Sequence, residues 1–351
     1  MKYGIYYAYW EDKWEADYFK YIEKVAKLGF DFLEIACTPI NGYSKQTLKD
    51  LRQAAKDNGI FLTAGHGPSA SQNLASPDAV VRKSAKKFFT TLLKNLETLD
   101  IHSIGGGIYS YWPVDYSKPI DKKGDWARSV KGVREMGKVA ADCGVDYCLE
   151  SLNRFEGYLI NTAAECVKFV KEVDMPSVKV MLDTFHMNIE EDSIGGAIRS
   201  AKGLLGHFHT GECNRRVPGR GRTPWHEIAC ALKDIGYKGN VSWNRSYAWA
   251  DASARTSRSG ASWSPASPRR RWMRTRRPRW TSSASCWRAF VEDLSRLPSV
   301  SREERDGTRP PVGGWRCRAG GEDRRDGPGD PGCCRDGRLS VAAAVLCAAS
   351  H

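Results

Sequence analysis

The sequence predicts a parallel α/β barrel, with eight strands each followed by a helix, over its first 241 residues. Short apolar runs alternate with amphipathic helical segments seven times, and an eighth apolar run begins at Gly239. This span is close to the ~250 residues that such a barrel takes. A doubly wound open sheet would need a glycine-rich phosphate turn after strand one, where the chain reads Tyr7-Ala8-Tyr9-Trp10. The barrel is therefore favoured over the open sheet.

The elements follow from the apolar periodicity. The predicted strands cover residues 2–9, 30–36, 60–65, 103–108, 145–150, 178–182 and 204–209, with an eighth from 239. The predicted helices cover 16–28, 45–56, 76–99, 126–143, a segment from 162, then 194–201 and 225–235. Ser76 followed by Pro77 predicts a capped start for the third helix. Thr162 to Glu165 fits a capping box. Residues 109–123 carry four aromatic side chains, which favours a lid.

Composition divides the chain into a predicted barrel domain, residues 1–241, and a tail, residues 242–351. The first part holds 33 basic and 30 acidic side chains and is nearly neutral, whereas the tail holds 21 basic and 11 acidic ones. All 21 basic residues of the tail are Arg, and the tail has no Lys and no Ile. The formal net charge of +13 is therefore concentrated in the tail and does not indicate a polyanion-binding barrel.

Nothing in the sequence predicts a disulfide framework, a secretion signal or a membrane span. The six cysteines of the first part are scattered without CxxC spacing, which favours reduced thiols. The chain enters a strand directly at Lys2, and no apolar run reaches the ~18 residues that a spanning helix needs. We therefore expect a cytoplasmic protein.

The carboxyl ends of barrel strands meet on one face, and polar or small residues occupy them here. Reading them in order gives Tyr6, Glu34, His66, Gly107, Glu150, Asp183 and His209. The run Gly105-Gly106-Gly107 lacks the pattern of a phosphate-binding loop, so close packing at a strand end is the expected reason for it.

Three of these residues are potential metal ligands on consecutive strands. Glu150, Asp183 and His209 end strands five, six and seven, so they can meet at one divalent cation. Mixed carboxylate and imidazole ligands suit Mn²⁺, Co²⁺ or Zn²⁺ better than Ca²⁺. Taken alone, a Glu at the end of a strand is usually a surface residue, and His209 could be a histidine of the core. The occurrence of all three residues at one level of the barrel favours a metal site.

Further side chains suit a polyhydroxylated ligand. Glu156 and His186 follow strands five and six, and Arg215 follows strand seven, although an exposed basic pair is the alternative for Arg215 and its neighbour. Tyr6 and Trp112 could stack on a sugar.

Three motifs resemble the ketose 3-epimerases, a group of xylose-isomerase-like TIM barrels that includes D-tagatose 3-epimerase and D-psicose (D-allulose) 3-epimerase. They are Glu150-Ser151-Leu152-Asn153-Arg154-Phe155-Glu156, Asp183-Thr184-Phe185-His186-Met187-Asn188 and His209-Thr210-Gly211-Glu212-Cys213-Asn214-Arg215. The runs from Gly4 to Tyr7 and from Gly107 to Trp112 are also similar to that family. The resemblance extends from residue 1 to about 241.

The resemblance implies C3 epimerisation of free ketohexoses through an enediolate. Mn²⁺ or Co²⁺, with Mg²⁺ as a further option, would be held by Glu150, Asp183 and His209, and Glu150 would be one of two catalytic glutamates. The implied substrate contacts are Tyr6, Gly107, Trp112, Glu156, His186 and Arg215. The family also implies a homodimer or homotetramer, with neither nucleic acid nor membrane as a partner.

The chain departs from the family at its second glutamate. That residue follows the start of strand eight in a Met-Glu-Pro-Phe context, where this chain reads Trp243-Asn244-Arg245-Ser246. A neutral amide coordinates a metal weakly and cannot act as an acid or base, so we expect impaired activity. A smaller departure is Ser151, where an apolar residue is usual.

The genetic code suggests how Asn244 arose. Trp243 is encoded by TGG and an Asn codon begins AA, so a reading frame one base earlier encodes Glu there. The neighbouring triplets can then encode Met, Pro and Phe. We therefore interpret residues 242–351 as an out-of-frame, disordered tail, which leaves the eighth β/α unit incomplete.

Three alternatives remain open from the sequence. An Arg-rich nucleic-acid arm is one for the tail, where Trp272 and Trp280 lie among arginines. A multi-zinc apurinic-site endonuclease on the same barrel would need more ligands; His66 is available, but His102 precedes strand four. The third is a catalytically dead barrel remnant.

Overall fold

The computed structural model describes residues 1–11, 16–216 and 218–244, and the predicted parallel barrel is confirmed in them. Eight strands form a closed barrel in chain order, with every neighbouring pair parallel. They are β1 Lys2–Tyr6, β2 Phe32–Ala36, β3 Phe61–His66, β4 Ser103–Gly106, β5 Asp146–Glu150, β6 Val178–Asp183, β7 Leu205–Thr210 and β8 Asn240–Trp243.

Helices connect the strands and cover the outside of the barrel. They are α1 Tyr18–Lys27, α2 Lys45–Asp57, α3 Ala79–Leu99, α4 Lys122–Asp142, α5 Ala163–Val173, α6 Thr184–Glu190, α7 Ile194–Ser200 and α8 Trp225–Asp234. A parallel sheet needs this cover because its strands are apolar on both faces. The long helix α3, for example, buries Phe89, Leu92, Leu93 and Leu96 completely. Each such side chain stabilises the fold by roughly 1.5–3 kcal/mol.

Strand β8 closes the barrel at the end of the described chain. Its residues pair with β1 from Lys2↔Asn240 to Ile5↔Trp243, and with β7 from His207↔Asn240 onward. The last strand of the predicted barrel is therefore complete. Ser242 and Trp243, the first residues of the predicted tail, belong to this strand. The rest of the tail beyond Asn244, and with it any helix of the eighth β/α unit, lies outside the described residues.

Several predicted boundaries are corrected by local hydrogen bonding. The third helix is capped by Asp78, whose Oδ1 accepts a hydrogen bond from Val80 N, and not by Ser76. Helix α4 begins at Lys122, inside the expected loop, because Asp121 accepts from Gly124 N. The capping box from Thr162 to Glu165 is confirmed.

A short helix, which is not among the predicted helices, follows β6. Asp183 Oδ1 accepts a hydrogen bond from Phe185 N at 2.8 Å and so caps α6. Because His186 lies in the first turn of α6, this helix fixes the direction of its ring.

The cysteines in the described part of the chain are free thiols, as the scattered spacing predicts. In that same part, no helix combines the length and apolar character needed to cross a bilayer.

Candidate active site

A cavity opens where the carboxyl ends of the strands converge. Eight of the nine predicted site residues line it: Tyr6, Gly107, Trp112, Glu150, Glu156, His186, His209 and Arg215. The ninth, Asp183, lies against them and has no exposed surface. Asn244 also lines the cavity. The structure therefore brings together the residues that were predicted from the ends of the strands.

The three predicted metal ligands face one another. Asp183 and His209 are register partners on β6 and β7, which places them at one level of the barrel. His209 Nδ1 lies 3.7 Å from Asp183 Oδ2 and 4.0 Å from Glu150 Oε1. These distances exceed hydrogen-bond length and stay within the ~4.2 Å that two ligands of one cation can span at ~2.1 Å each.

Asn244 lies between two of these ligands. Its Nδ2 is 3.1 Å from Asp183 Oδ2 and 3.1 Å from His209 Nδ1, while its backbone N donates to Thr210 O. Its Oδ1 is buried and has no hydrogen-bond partner in the described part of the chain. Residue 244 is therefore aimed into the group of ligands, and its amide oxygen is left for another partner.

The carboxylates of the site differ in basicity because their surroundings differ. Burial raises the pKa of Glu150 to about 8. The charge of His209 lowers this pKa, whereas the charges of Asp183 and Glu156 raise it further. Burial acts to raise the pKa of Asp183 as well, but interaction with His209 and the charge of Arg215 hold that pKa well below its usual range. Glu150 is therefore the more basic of the two.

A hydrogen-bond network holds the groups on the other side of the cavity. Asn153 Nδ2 donates to His186 Nδ1 at 2.7 Å and to Glu156 Oε1 at 2.9 Å, and its backbone N also donates to that ring nitrogen at 3.2 Å. His186 Nε2 is thereby turned toward Glu150 Oε1, 3.7 Å away. Burial lowers the pKa of His186, more than the charges of Glu156 and Asp183 raise it.

Trp112 covers the cavity from the long loop after β4, and this placement agrees with the expected lid. Its Nε1 donates to Glu156 Oε2 at 3.1 Å, and its backbone N donates to Pro68 O. The ring packs on Gly67, where an added Cβ would lie 2.9 Å from a ring carbon. Gly107 is less tightly packed, because its Cβ would lie 3.2 Å from Leu152 Cδ1.

Arg215 is held over the ligand group, not in the exposed basic pair that was its alternative. Its guanidinium stacks on Phe185, with Cζ 3.4 Å from the ring centroid, and Nη1 lies 3.6 Å from Asp183 Oδ2. Glu212 anchors this loop by accepting hydrogen bonds from Gly219 N and Trp225 Nε1. Nη1 has no hydrogen-bond partner in residues 1–11, 16–216 and 218–244, so it can bind a ligand oxygen.

Two groups of three potential ligands occur in the described residues. One is Glu150, Asp183 and His186, and the other is Glu34, His207 and His209. The predicted set takes its histidine from the second group, because His209 presents Nδ1 to the carboxylates while its Nε2 faces Glu34 at 3.0 Å.

Sequence reasoning missed Asn153, His207 and the partners of Glu34. A signal for the last two was present, because His207 and His209 are two residues apart on one strand and so face the same side. Glu34 stands alone in the apolar run Phe32–Ala36, where a buried carboxylate requires a partner.

The residues that an endonuclease with several zinc ions would add do not join this group. His66 lies in the cavity wall, where its Nε2 is 3.0 Å from Gln72 Oε1. His102 is largely exposed before β4 and pairs with Asp100.

Comparison with known proteins agrees with the motifs. The model of the xylose isomerase-like TIM barrel family matches residues 22–266. D-psicose 3-epimerase of Ruminiclostridium cellulolyticum is 70% identical over 241 residues, which are 69% of this chain and 82% of that protein. D-psicose 3-epimerase of Agrobacterium fabrum is 61% identical over 241 residues, covering 69% and 83%.

A solved structure of D-psicose 3-epimerase with D-tagatose from Clostridium cellulolyticum superimposes with a TM-score of 0.69 at 69% identity. The match covers 69% of this chain and 84% of that one. The family model and the identity to these relatives show that the chain belongs to the xylose isomerase-like TIM barrels and, among them, to the ketose 3-epimerases, which are isomerases.

Proposed function

We propose that this site is built for C3 epimerisation of free ketohexoses, such as the pairs D-psicose/D-fructose and D-tagatose/D-sorbose. The observation that carries the proposal is the convergence of Glu150, Asp183 and His209 on one side of the cavity. Glu156, His186 and Arg215 supply hydrogen-bonding groups around the same space. The D-psicose 3-epimerases at 70% and 61% identity support the choice of substrate class.

The donor set fits a divalent cation. Two carboxylates and an imidazole face one another, and the buried Asn244 Oδ1 lacks a partner in the described part of the chain. Mn²⁺ or Co²⁺, with Mg²⁺ as a further option, would be held by Glu150, Asp183 and His209. When bound, the cation would polarise the C2 carbonyl and make the neighbouring C3 hydrogen more acidic.

The residues of the chain then divide the remaining work. Glu150 takes the proton from C3, for which a buried carboxylate in a cavity wall is suited. Glu156, His186 and Arg215 bind the oxygens of C1 to C3 and hold the substrate in one orientation. Trp112 shields the reacting face from water.

Inversion at C3 requires a proton from the opposite face, and residue 244 is the position from which it would come. An amide neither donates nor takes a proton at neutral pH. We therefore propose that this chain, with Asn244, has little or no epimerase activity and corresponds to the remnant considered above.

The purified chain tests this proposal directly. It is incubated with D-fructose and Mn²⁺, and D-psicose is followed by chromatography. We expect conversion at least about 100-fold slower than that of an epimerase with both glutamates, since a general acid or base contributes 10²–10⁴-fold. Conversion at a comparable rate would refute the impairment.

The origin of Asn244 is tested at the level of the gene. A one-base shift near codon 242 predicts that the neighbouring frame encodes Met-Glu-Pro-Phe. Sequencing of that region decides it, because a different sequence in that frame excludes the shift. A cytoplasmic location, a homodimer or homotetramer, and the absence of nucleic-acid and membrane partners stay predictions.

A further inference from the structure

A buried carboxylate that the proposed reaction does not use lies below the predicted metal ligands. Glu34, on β2, has no exposed surface and reaches the side chains of β7 across the barrel interior. Both of its oxygens lie 3.0 Å from His209 Nε2, and Oε2 is also 3.2 Å from His207 Nε2. A buried carboxylate needs such partners, and Glu34 has two of them on one strand.

These contacts determine which nitrogen carries hydrogen when the His209 ring is neutral, as it must be to bind a cation. An ionised carboxylate only accepts hydrogen bonds, so Nε2 of His209 must donate to Glu34. The Asn244 amide nitrogen, 3.1 Å from Nδ1 on the other edge of the ring, only donates, so Nδ1 accepts. The lone pair of His209 therefore points at Asp183 and Glu150, and Nε2–H points away from them.

The local packing preserves this arrangement. An added Cβ at Gly65, the register partner of Ala36 on β3, would lie 3.1 Å from Glu34 Oε1, so the glycine leaves just enough room for the carboxylate. His207 contacts Glu34 as well, and its ring centroid lies 5.1 Å from that of His209. Glu34 therefore contacts both histidines, and it contacts His209 with both of its oxygens.

We propose that Glu34 is a positioning residue: it orients the His209 ring and keeps Nδ1 free to bind the cation. Carboxylates that hydrogen-bond to a ligating histidine fix its tautomer and orientation, and their loss commonly weakens metal affinity 10–100-fold. The inference rests on the proposed role of His209 as a ligand.

The experiment measures Mn²⁺ affinity of the full chain by calorimetric titration, with thermal unfolding as a check on folding. Glu34→Gln keeps the shape of the side chain but removes its charge, and we expect its dissociation constant for Mn²⁺ to rise at least 10-fold. His207→Gln is the matched control, because it removes the other partner of Glu34; we expect a change below threefold. His209→Gln should abolish measurable binding.

The outcomes separate the inference from the function on which it rests. If Glu34→Gln binds Mn²⁺ as tightly as the unaltered chain while His209→Gln does not bind, Glu34 has no positioning role and the predicted metal site stands. If His209→Gln binds normally, the predicted metal site itself is wrong. If the His207 and Glu34 variants lose affinity equally, the cation sits among Glu34, His207 and His209, and the inference is overturned.

A second variant of Glu34 and a direct measurement of the His209 tautomer complete the test. Glu34→Asp retains the buried charge but withdraws its oxygens by one methylene, so it serves if Glu34→Gln does not fold; we expect at least threefold weaker binding. Nitrogen NMR of histidine-labelled protein reports the tautomer directly. With Mg²⁺, a diamagnetic cation, bound, we expect His209 to be the Nε2–H form in the unaltered chain and a mixture in Glu34→Gln, whereas an unchanged spectrum would contradict the proposal.

Discussion

The side-chain nitrogen of Asn244 lies 3.1 Å from Asp183 Oδ2, so an amide donates to an oxygen that is proposed to bind a cation. The same nitrogen is 3.1 Å from His209 Nδ1. Residue 244 therefore satisfies two ligand atoms in the way that a cation otherwise would. A carboxylate in this position would instead add a ligand and a proton acceptor.

Replacement of Asn244 by Glu tests this relationship. We expect Asn244→Glu to raise kcat for conversion of D-fructose to D-psicose with Mn²⁺ by at least about 100-fold, because it restores the second acid and base. Asn244→Gln has the same length without the carboxylate and should stay at the level of the unaltered chain. If both variants were raised to the same activity, the length of the side chain, and not its carboxylate, would be what Asn244 lacks.

A half-reaction should survive in the unaltered chain. Glu150 alone can remove and return a proton on one face of C3, so one epimer should exchange its C3 hydrogen with solvent without being converted. Proton NMR in D₂O with Mn²⁺ removed before measurement follows the loss of that signal. We expect exchange for one of D-fructose and D-psicose and none for the other.

Glu150→Gln is the control for this exchange and should abolish it. Exchange of both epimers at similar rates would mean that a second base is present, and the proposed role of residue 244 would then be wrong.

Gly106, the last residue of β4, is expected to be intolerant of a side chain. It has φ +128°, and an added Cβ would lie 2.1 Å from the carbonyl oxygen of His66. We expect Gly106→Ala to lower the free energy of unfolding by at least about 3 kcal/mol, at the upper end of the cost of a strained backbone. Gly59, which also has a positive φ but nothing within 4 Å of an added Cβ, is the control. Gly59→Ala should cost about 1 kcal/mol in urea unfolding, and equal costs would exclude the clash.

His66 should make the fold sensitive to acid. Burial lowers its pKa to about 4, against an ordinary value of 6.5, although Gln72 hydrogen-bonds to it. Between these values the unfolded chain binds the proton and the folded chain does not, so stability is lost as pH falls from 6.5 to 4. The loss amounts to about 3 kcal/mol. Urea unfolding across this range should show a shallower decline for His66→Gln than for the unaltered chain, and parallel curves would contradict the assignment.

The order of strands and helices was predictable because apolar periodicity is a local property. Glu150 and Asp183 could be placed for the same reason, since a polar residue that ends a buried strand must lie at the barrel rim. The cap of α3 could not be predicted, because Ser76 and Asp78 offer equally good capping side chains and only the path of the backbone decides between them. Helix α6 was not predicted because its seven residues are too few to show the apolar periodicity of a helix.

The contacts across the barrel were beyond sequence reasoning. Glu34 and His209 are 175 positions apart, and no local pattern relates them. Asn153 was within a quoted motif, yet its link to His186 depends on the first turn of α6. Pairings of this kind are set by register and side-chain direction, which only the closed barrel defines.

The pairing of β1 with β8 has a consequence for folding kinetics. Lys2 and Asn240 become neighbours only after the whole intervening chain has been ordered or looped out, so closure of the ring is a contact of the longest range. Topologies dominated by such contacts fold slowly. Until β8 docks, β1 and β7 present unpaired edges that can recruit another chain. A change that weakens residues 240–243 would therefore be expected to act first through aggregation of the half-closed barrel during folding, before any effect on the chemistry.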